Sequence, residues 1–434
     1  VHEPREGRNE VERPPRLLIV VNVFNPDRGG GGAIFSDLAY GLVERGFDVT
    51  VRCAYPYYPE WTDKSGKNGW AIQRYDDQGA HIERYGIYIP TKPNALWQRL
   101  LYEGSFLLSL LRSLPRGRDF DVVMVYCPLV GSVAFAVANK LWWRKPLWLN
   151  VQDLSADAAA ASGIATNKAV IALLRGVQSW FFNRADVWST ISPVMVARLR
   201  ALRRRGQPVV YLPNWLNGSM ARELERLPDK TGRAPGSPVK LLYAGNIGTK
   251  QDLLRFCQRL HASDAPFAFR IHGDGGRAEE IRAWVEASGD ARFRFGHFLD
   301  EGGFAAALHE TDFFVITEKA ESGGSFIPCK AISGLASHSA ILAVCDSGSP
   351  LGHEMREAEP GPCFCWDALD AVPAFLARAA AGGEPFAQWQ GNARARAAFY
   401  ERGEVIDRCA AALRVVIASG GDPAALRAGL AERE

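Results

Sequence analysis

Residues 16–23, RLLIVVNV, form a short β-branched run bounded by turn residues, the pattern of a parallel strand buried on both faces. Residues 24–32 read as a loop. Ile34, Leu38, Leu42 and Val43 then recur at helical spacing up to Arg45. Gly46 ends that helix, and residues 48–52, DVTVR, open the next strand, so a βαβ unit begins the chain. Further buried strands are predicted at 121–126 and 147–151, with a helical stretch between them, and again at 186–192 and 209–213. The stretch 221–238 is rich in Arg, Glu, Gly and Pro and reads as linker. After it the alternation restarts. Strands are expected at 239–244, 267–272, 293–295, 313–317 and 340–344, with helices at 252–261, 277–287, 303–309 and 331–336 between them.

Two successive doubly wound α/β domains account for this pattern, with ligands held at the carboxyl ends of strands in a cleft between the domains. The length agrees, because 434 residues exceed a single ordinary core. The expected division is a disordered tail 1–15, a first domain 16–217, a linker 218–237, a second domain 238–384, and C-terminal helices 385–434. The tail is polar and lacks the apolar centre of a secretion signal, and no run of about 18 apolar residues predicts a membrane span. The eight cysteines are scattered, without zinc or disulfide spacing, and Cys363-x-Cys365 is not a thioredoxin-type pair. A cytoplasmic protein is expected.

The net charge of +3 conceals an asymmetry. Residues 1–217 carry 27 Lys and Arg against 19 Asp and Glu, a balance of +8, and the remainder carries −5. A basic first half suits an anionic partner, either phosphate groups or an acidic membrane surface, although ordinary solubility would also produce it. Residues 142–145, Trp-Trp-Arg-Lys, join aromatic rings to positive charge, as does the apolar stretch 106–114 followed by Arg116 and Arg118. Such mixtures suit a membrane interface, yet buried core tryptophans are the more economical expectation for Trp142 and Trp143. Arg198, Arg200, Arg203, Arg204 and Arg205 form a basic helix end. No nucleic-acid module accompanies the charge, so no nucleic acid is expected as a partner.

Two glycine runs stand at corresponding places. One is Gly29–Gly32. The other lies in residues 321–336, where Glu321 leads into Gly323, Gly324 and Ser325, then Lys330 at the start of an apolar helical run. A glycine-loosened turn before a helix leaves backbone N–H groups pointing outward, which suits a phosphate. His272, His297 and His309 are too scattered for a metal site. Gly273-x-Gly275-Gly276 lacks the spacing of a dinucleotide fingerprint and reads as a strand-to-helix turn.

In order along residues 16–415, these fragments resemble the family 4 retaining glycosyltransferases of GT-B architecture, in the branch that builds bacterial capsule, colanic acid and lipopolysaccharide. The resemblance rests on the Gly29–Gly32 run and the segment 44–51 (ERGFDVTV), on 151–154 (VQDL) and on 189–195 (STISPVM). It continues through 212–215 (LPNW), 243–248 (YAGNIG), 271–275 (IHGDG) and 328–330 (PCK). It implies two facing Rossmann-like domains with an interdomain cleft, the C-terminal helices crossing back to the first. It also implies sugar transfer from a nucleotide-diphosphate donor to an acceptor hydroxyl, with retention, no cofactor and no metal. Gly30, Gly31 and Gly32 would let the chain approach the donor closely. Gly245, Asn246 and Gly248, with Lys250 nearby, would touch the diphosphate. Gly323, Gly324 and Ser325 would add backbone donors, and Lys330 would neutralise charge on the leaving diphosphate. Asp153 would orient or deprotonate the acceptor hydroxyl, the other reading being a helix N-cap before residues 156–161. Asp157 is a weaker candidate of the same kind.

The chain departs from the family at one point. The second Glu of the Glu-x7-Glu pair, which helps hold the ribose, is replaced by Ser333, and the Gly-Arg/Thr-Pro segment after it by residues 337–339, Ser-His-Ser. Glu318 and Glu321 remain as carboxylates able to face the donor sugar. A non-catalytic nucleotide-sugar binder or partner subunit therefore stands as an alternative, as does a GT-B nucleotide-sugar epimerase. The resemblance further implies a lipid-linked saccharide acceptor, met by peripheral contact with an anionic membrane on its cytoplasmic face.

Overall fold

The computed structural model describes residues 13–27, 31–93, 95–127, 129–154, 168–228, 230, 233, 235–320 and 327–431. Two sheets organise it. The first holds β1 (Arg16–Val20), β2 (Asp48–Ala54), β3 (Gln73–Asp77), β4 (Ala80–Tyr85), β5 (Val122–Cys127), β6 (Leu147–Val151), β7 (Val187–Thr190) and β8 (Val209–Tyr211). Their order is β3-β4-β2-β1-β5-β6-β7-β8, parallel except for β3, which pairs antiparallel to β4. The second holds β9 (Val239–Asn246), β10 (Phe267–Asp274), β11 (Phe293–Gly296), β12 (Phe313–Thr317), β13 (Ala340–Val344) and β14 (Cys363–Phe364), in the order β11-β10-β9-β12-β13-β14, all parallel.

Central strands are buried along their whole length, as both-face coverage by helices requires; every residue of β5, β6, β12 and β13 is buried. Each sheet reverses its winding once, between β1 and β5 in the first and between β9 and β12 in the second. The crevice beyond the carboxyl ends of strands at such a reversal is where an open α/β sheet receives ligands. In the second sheet the loops meeting there follow Asn246 and Thr317.

Several boundaries differ from expectation. Arg13–Pro15 are already tied to the fold: the Arg13 guanidinium lies 3.3 Å from Asp121, and the Pro15 carbonyl accepts from the Asp48 N–H at 3.0 Å. The expected linker contains a helix, Gly218–Glu225, whose first turn is capped by the Asn217 side chain accepting from the Met220 N–H at 2.7 Å. Met220 anchors it in the core of the second domain. The chain also returns later than residue 385. Helix Phe386–Ala397 stays on the second sheet, where Phe386 and Trp389 stack on Phe313 with ring centroids 4.8 and 5.7 Å away. The return is made by helices Arg402–Ser419 and Pro423–Leu430, whose Val405, Ile406, Leu413 and Leu430 enter the first core. Gly41 admits that helix, since a Cβ there would lie 2.5 Å from Ile406. Trp142 and Trp143 are not core residues: they are 73% and 37% exposed at the end of helix Val130–Trp143.

Candidate active site

At the reversal point of the second sheet, β9 runs out through Gly245 and Asn246. Gly245 has φ +120° and a Cβ placed there would meet nothing within 4 Å, so the backbone, not crowding, demands glycine. Asn246 is exposed, and its carbonyl accepts from the Tyr243 hydroxyl at 2.7 Å. The Gly248 N–H is occupied by the Gln251 side chain at 2.9 Å. Lys250 is exposed, and its carbonyl accepts from the Lys319 N–H at 2.7 Å, which ties this loop to the end of β12.

On the β12 side, Glu318 follows the last strand residue. Its N–H donates to Val344 at 2.8 Å and its carbonyl accepts from the Trp366 indole at 2.6 Å, so the backbone is fixed while the carboxylate points elsewhere. Helix Cys329–Ala336 then brings Lys330 over the Tyr243 ring, with Nζ 4.1 Å from the ring centroid. Lys330 is half-buried as a residue, but its Nζ is shielded from solvent and has no hydrogen-bond partner among the described residues. The same holds for Glu318 Oε2 and Thr317 Oγ1. Buried polar atoms are almost always paired, so three unpaired ones at the mouth of one crevice mark a place built for a polar ligand.

Burial sets the electrostatics. It lowers Lys330 from its ordinary value to about 7, partly offset by Glu318, and raises Glu318 to about 7, partly offset by Ser349 and Lys330. A cation and an acid both poised near neutrality are what an anionic, hydroxyl-rich ligand would engage. Ser333 lies half-buried one helical turn beyond Lys330.

Across from this pocket, Asp153 follows β6. Its side chain accepts from the Leu154 N–H at 2.8 Å, and its carbonyl from the Cys127 thiol at 3.4 Å. Asn214 bridges the two domains: its amide reaches Gln152 at 3.4 Å and Cys329, the neighbour of Lys330, at 4.0 Å. A small crevice beneath it is lined by Tyr126, Asn150, Gln152, Asn214 and Trp215.

The glycines of the first run that can be placed have internal reasons to be glycine. Gly31 has φ +91° and its Cβ would strike the Phe35 ring, while a Cβ at Gly32 would lie 2.2 Å from the Asp27 carbonyl. Gly30, Glu321, Gly323, Gly324, Ser325 and the segment with Asp157 lie outside the described residues. Sequence reasoning missed Tyr243 and Thr317. The signal for Tyr243 was a phenol among the buried positions of β9, at the head of the fragment 243–248. Among the described residues no group of three or more His, Cys, Asp or Glu could hold a metal ion, and no helix is long and apolar enough to cross a membrane.

A protein-family profile, the glycosyl transferase 4-like domain, matches residues 29–215. The chain is 25% identical over 366 residues to WcaI of Escherichia coli K12, named for colanic acid biosynthesis, covering 81% of this chain and 88% of that one. Among solved structures it is similar to sucrose-phosphate synthase of Thermosynechococcus elongatus, with a TM-score of 0.65 at 13% identity, covering 93% and 100% of the two chains. It is also similar to HepE of Anabaena solved with UDP-glucose, with a TM-score of 0.61 at 12% identity, covering 92% and 99%. Both likenesses concern the fold.

Proposed function

We propose that the chain is a family 4 glycosyltransferase of GT-B architecture that moves a sugar from a nucleotide-diphosphate donor to an acceptor hydroxyl, with retention, in surface polysaccharide or glycolipid assembly. The observation that carries this reading is the shielded, unpaired Lys330 Nζ held over Tyr243 beside the equally unpaired Glu318 Oε2, at the reversal point of the second sheet.

In this reading the donor diphosphate lies against the Gly245–Gly248 loop, and Lys330 takes up the charge that grows on the leaving nucleoside diphosphate. The bond from the anomeric carbon to the phosphate oxygen breaks as the bond to the acceptor oxygen forms on the same face. The acceptor proton passes to the departing diphosphate oxygen, with Asp153 orienting the hydroxyl. Glu318 and Thr317 accept and donate hydrogen bonds to donor hydroxyls, a role that the replacement at Ser333 leaves to them. No metal takes part, because Lys330 and backbone amides supply the stabilising charge.

The relative named for colanic acid biosynthesis supports a saccharide acceptor; in this proposal that saccharide is carried on a lipid and met by peripheral contact at the cytoplasmic face of an anionic membrane. A donor panel spanning UDP, GDP, ADP and dTDP sugars, offered with membrane lipid extract, tests the reading. Nucleoside diphosphate release with a new glycoside is expected. An epimerised donor would indicate an epimerase, and binding without turnover a non-catalytic subunit.

A further inference from the structure

Three helices of the first domain, Leu96–Leu111, Val130–Trp143 and Lys168–Phe182, form one layer in which the middle helix packs against both others. Each buries one side in the domain, for example through Tyr102, Phe106 and Leu110 in the first. A soluble helix would turn a polar side to water. These do not. In the first, Trp97, Leu101, Leu108 and Leu111 recur along the outer side, with Leu108 64% exposed. In the third, Leu173, Val177 and Trp180 recur at helical spacing, with Leu173 67% exposed. Leu141 and Trp142 continue the strip on the middle helix.

The charge around this strip is one-sided. The three helices contain a single acid, Glu103, which is turned inward to accept from the Gly131 N–H at 2.7 Å. Arg112, Arg144 and Arg184 stand within two residues of the three C-terminal ends. Arg184 covers the Trp180 ring at 4.3 Å, and Arg112 covers the exposed Trp70 ring at 3.8 Å. An apolar strip with tryptophans and arginines at its rim matches the layered chemistry of a bilayer interface. A second copy fits less well, since a two-fold contact would set the same basic rim against itself. The inward side of the first helix reaches the carboxyl end of β1, where Asn22 donates to the Tyr102 hydroxyl at 2.7 Å.

We propose that this three-helix layer is the membrane-docking face of the protein, lying in the headgroup region of an anionic bilayer and holding the acceptor side of the cleft against it. The proposal deepens the membrane part of the function proposed above, and vesicle binding reads it separately from sugar transfer.

Flotation of the full chain with vesicles of phosphatidylglycerol and phosphatidylcholine in low salt tests it. The protein should float with these vesicles and partition roughly tenfold less onto phosphatidylcholine alone. A variant carrying Leu101→Gln, Leu141→Gln, Trp142→Gln and Leu173→Gln should lose roughly tenfold or more in partition, with its circular dichroism and nucleotide binding unchanged. Should that variant not fold, the rim variant Arg112→Gln, Arg144→Gln, Arg184→Gln provides the same comparison. A wild-type chain that stays in the aqueous phase overturns the proposal, as does a folded variant that floats like wild type. A dimer that these substitutions dissociate, without any vesicle binding, would assign the face to a second copy instead.

Discussion

The Lys330 ammonium sits 4.1 Å above the centroid of the Tyr243 ring, and the same tyrosine's hydroxyl holds the Asn246 carbonyl at 2.7 Å. One side chain on β9 thus positions both the cation and the glycine-bearing loop that face a common crevice. Among the described residues the ammonium makes no hydrogen bond, and the ring face gives it a cation–π contact instead.

Removing that charge should cost donor affinity and leave the fold intact. Lys330→Met is expected to weaken nucleotide-sugar binding by roughly tenfold or more, the equivalent of a charge-assisted contact of about 1.5–3 kcal/mol. Calorimetric titration of wild type and variant measures it. Equal affinities would remove Lys330 from the site.

Donor binding should also weaken as pH rises through neutrality. Lys330, lowered to about 7 by burial, loses its positive charge across that range, while Glu318, raised to about 7 by burial, gains a negative one. Both changes oppose a diphosphate, and a nucleotide sugar has no ionisation of its own there. The dissociation constant is therefore expected to climb between pH 6 and pH 8.5, by roughly tenfold where one charge contact is lost. The climb should be largely abolished in the double variant Lys330→Met, Glu318→Gln. A wild-type affinity that is flat or improves with pH contradicts this assignment.

Gly245→Ala should damage both stability and donor binding. The φ of +120° is a backbone region nearly closed to side chains, and forcing alanine into it costs about 1–3 kcal/mol. Gly276→Ala serves as control, because its Cβ would meet nothing within 4 Å and its φ is not in that region. Urea unfolding should show a lowered midpoint for the first and none for the second.

The sequence was most legible where burial is two-sided. The apolar runs of β12 and β13 could be read directly, and so could the doubly wound alternation around them. The β3–β4 hairpin was not legible, because Gln73–Asp77 is a polar edge strand and its turn, Gln78-Gly79, is a two-residue reversal with positive φ at both positions. Helices Leu96–Leu111 and Lys168–Phe182 escaped for the opposite reason: apolar residues on both sides blur the helical period. The helix Gly218–Glu225 was hidden by its Arg- and Glu-rich composition, although Asn217 was a readable cap. In the site, the position of Lys330 after a glycine turn marked it from sequence. Tyr243 could not be marked that way, since only the pairing of β9 with β12 sets its ring beneath that lysine.

One carboxylate of the first domain ties the returning helix to a buried tryptophan. Asp37 accepts from Arg402 Nε at 2.7 Å and from the Trp215 indole at 2.7 Å. Asp37→Ala leaves the Trp215 indole unpaired and Arg402 with Glu44 at 3.2 Å, and should lower unfolding free energy by about 1–3 kcal/mol. Chemical denaturation measures this, and an unchanged midpoint would show that Asp37 contributes nothing to holding the return helix.

The central claim is sugar transfer, and it is tested most directly by following one nucleotide sugar by NMR in the presence of the protein and a lipid-linked saccharide acceptor. The expected result is a new glycoside with the anomeric configuration of the donor, formed one for one with nucleoside diphosphate. An inverted product would contradict retention. A donor converted to its epimer, or left intact while it saturates the Lys330 site, would contradict transfer itself.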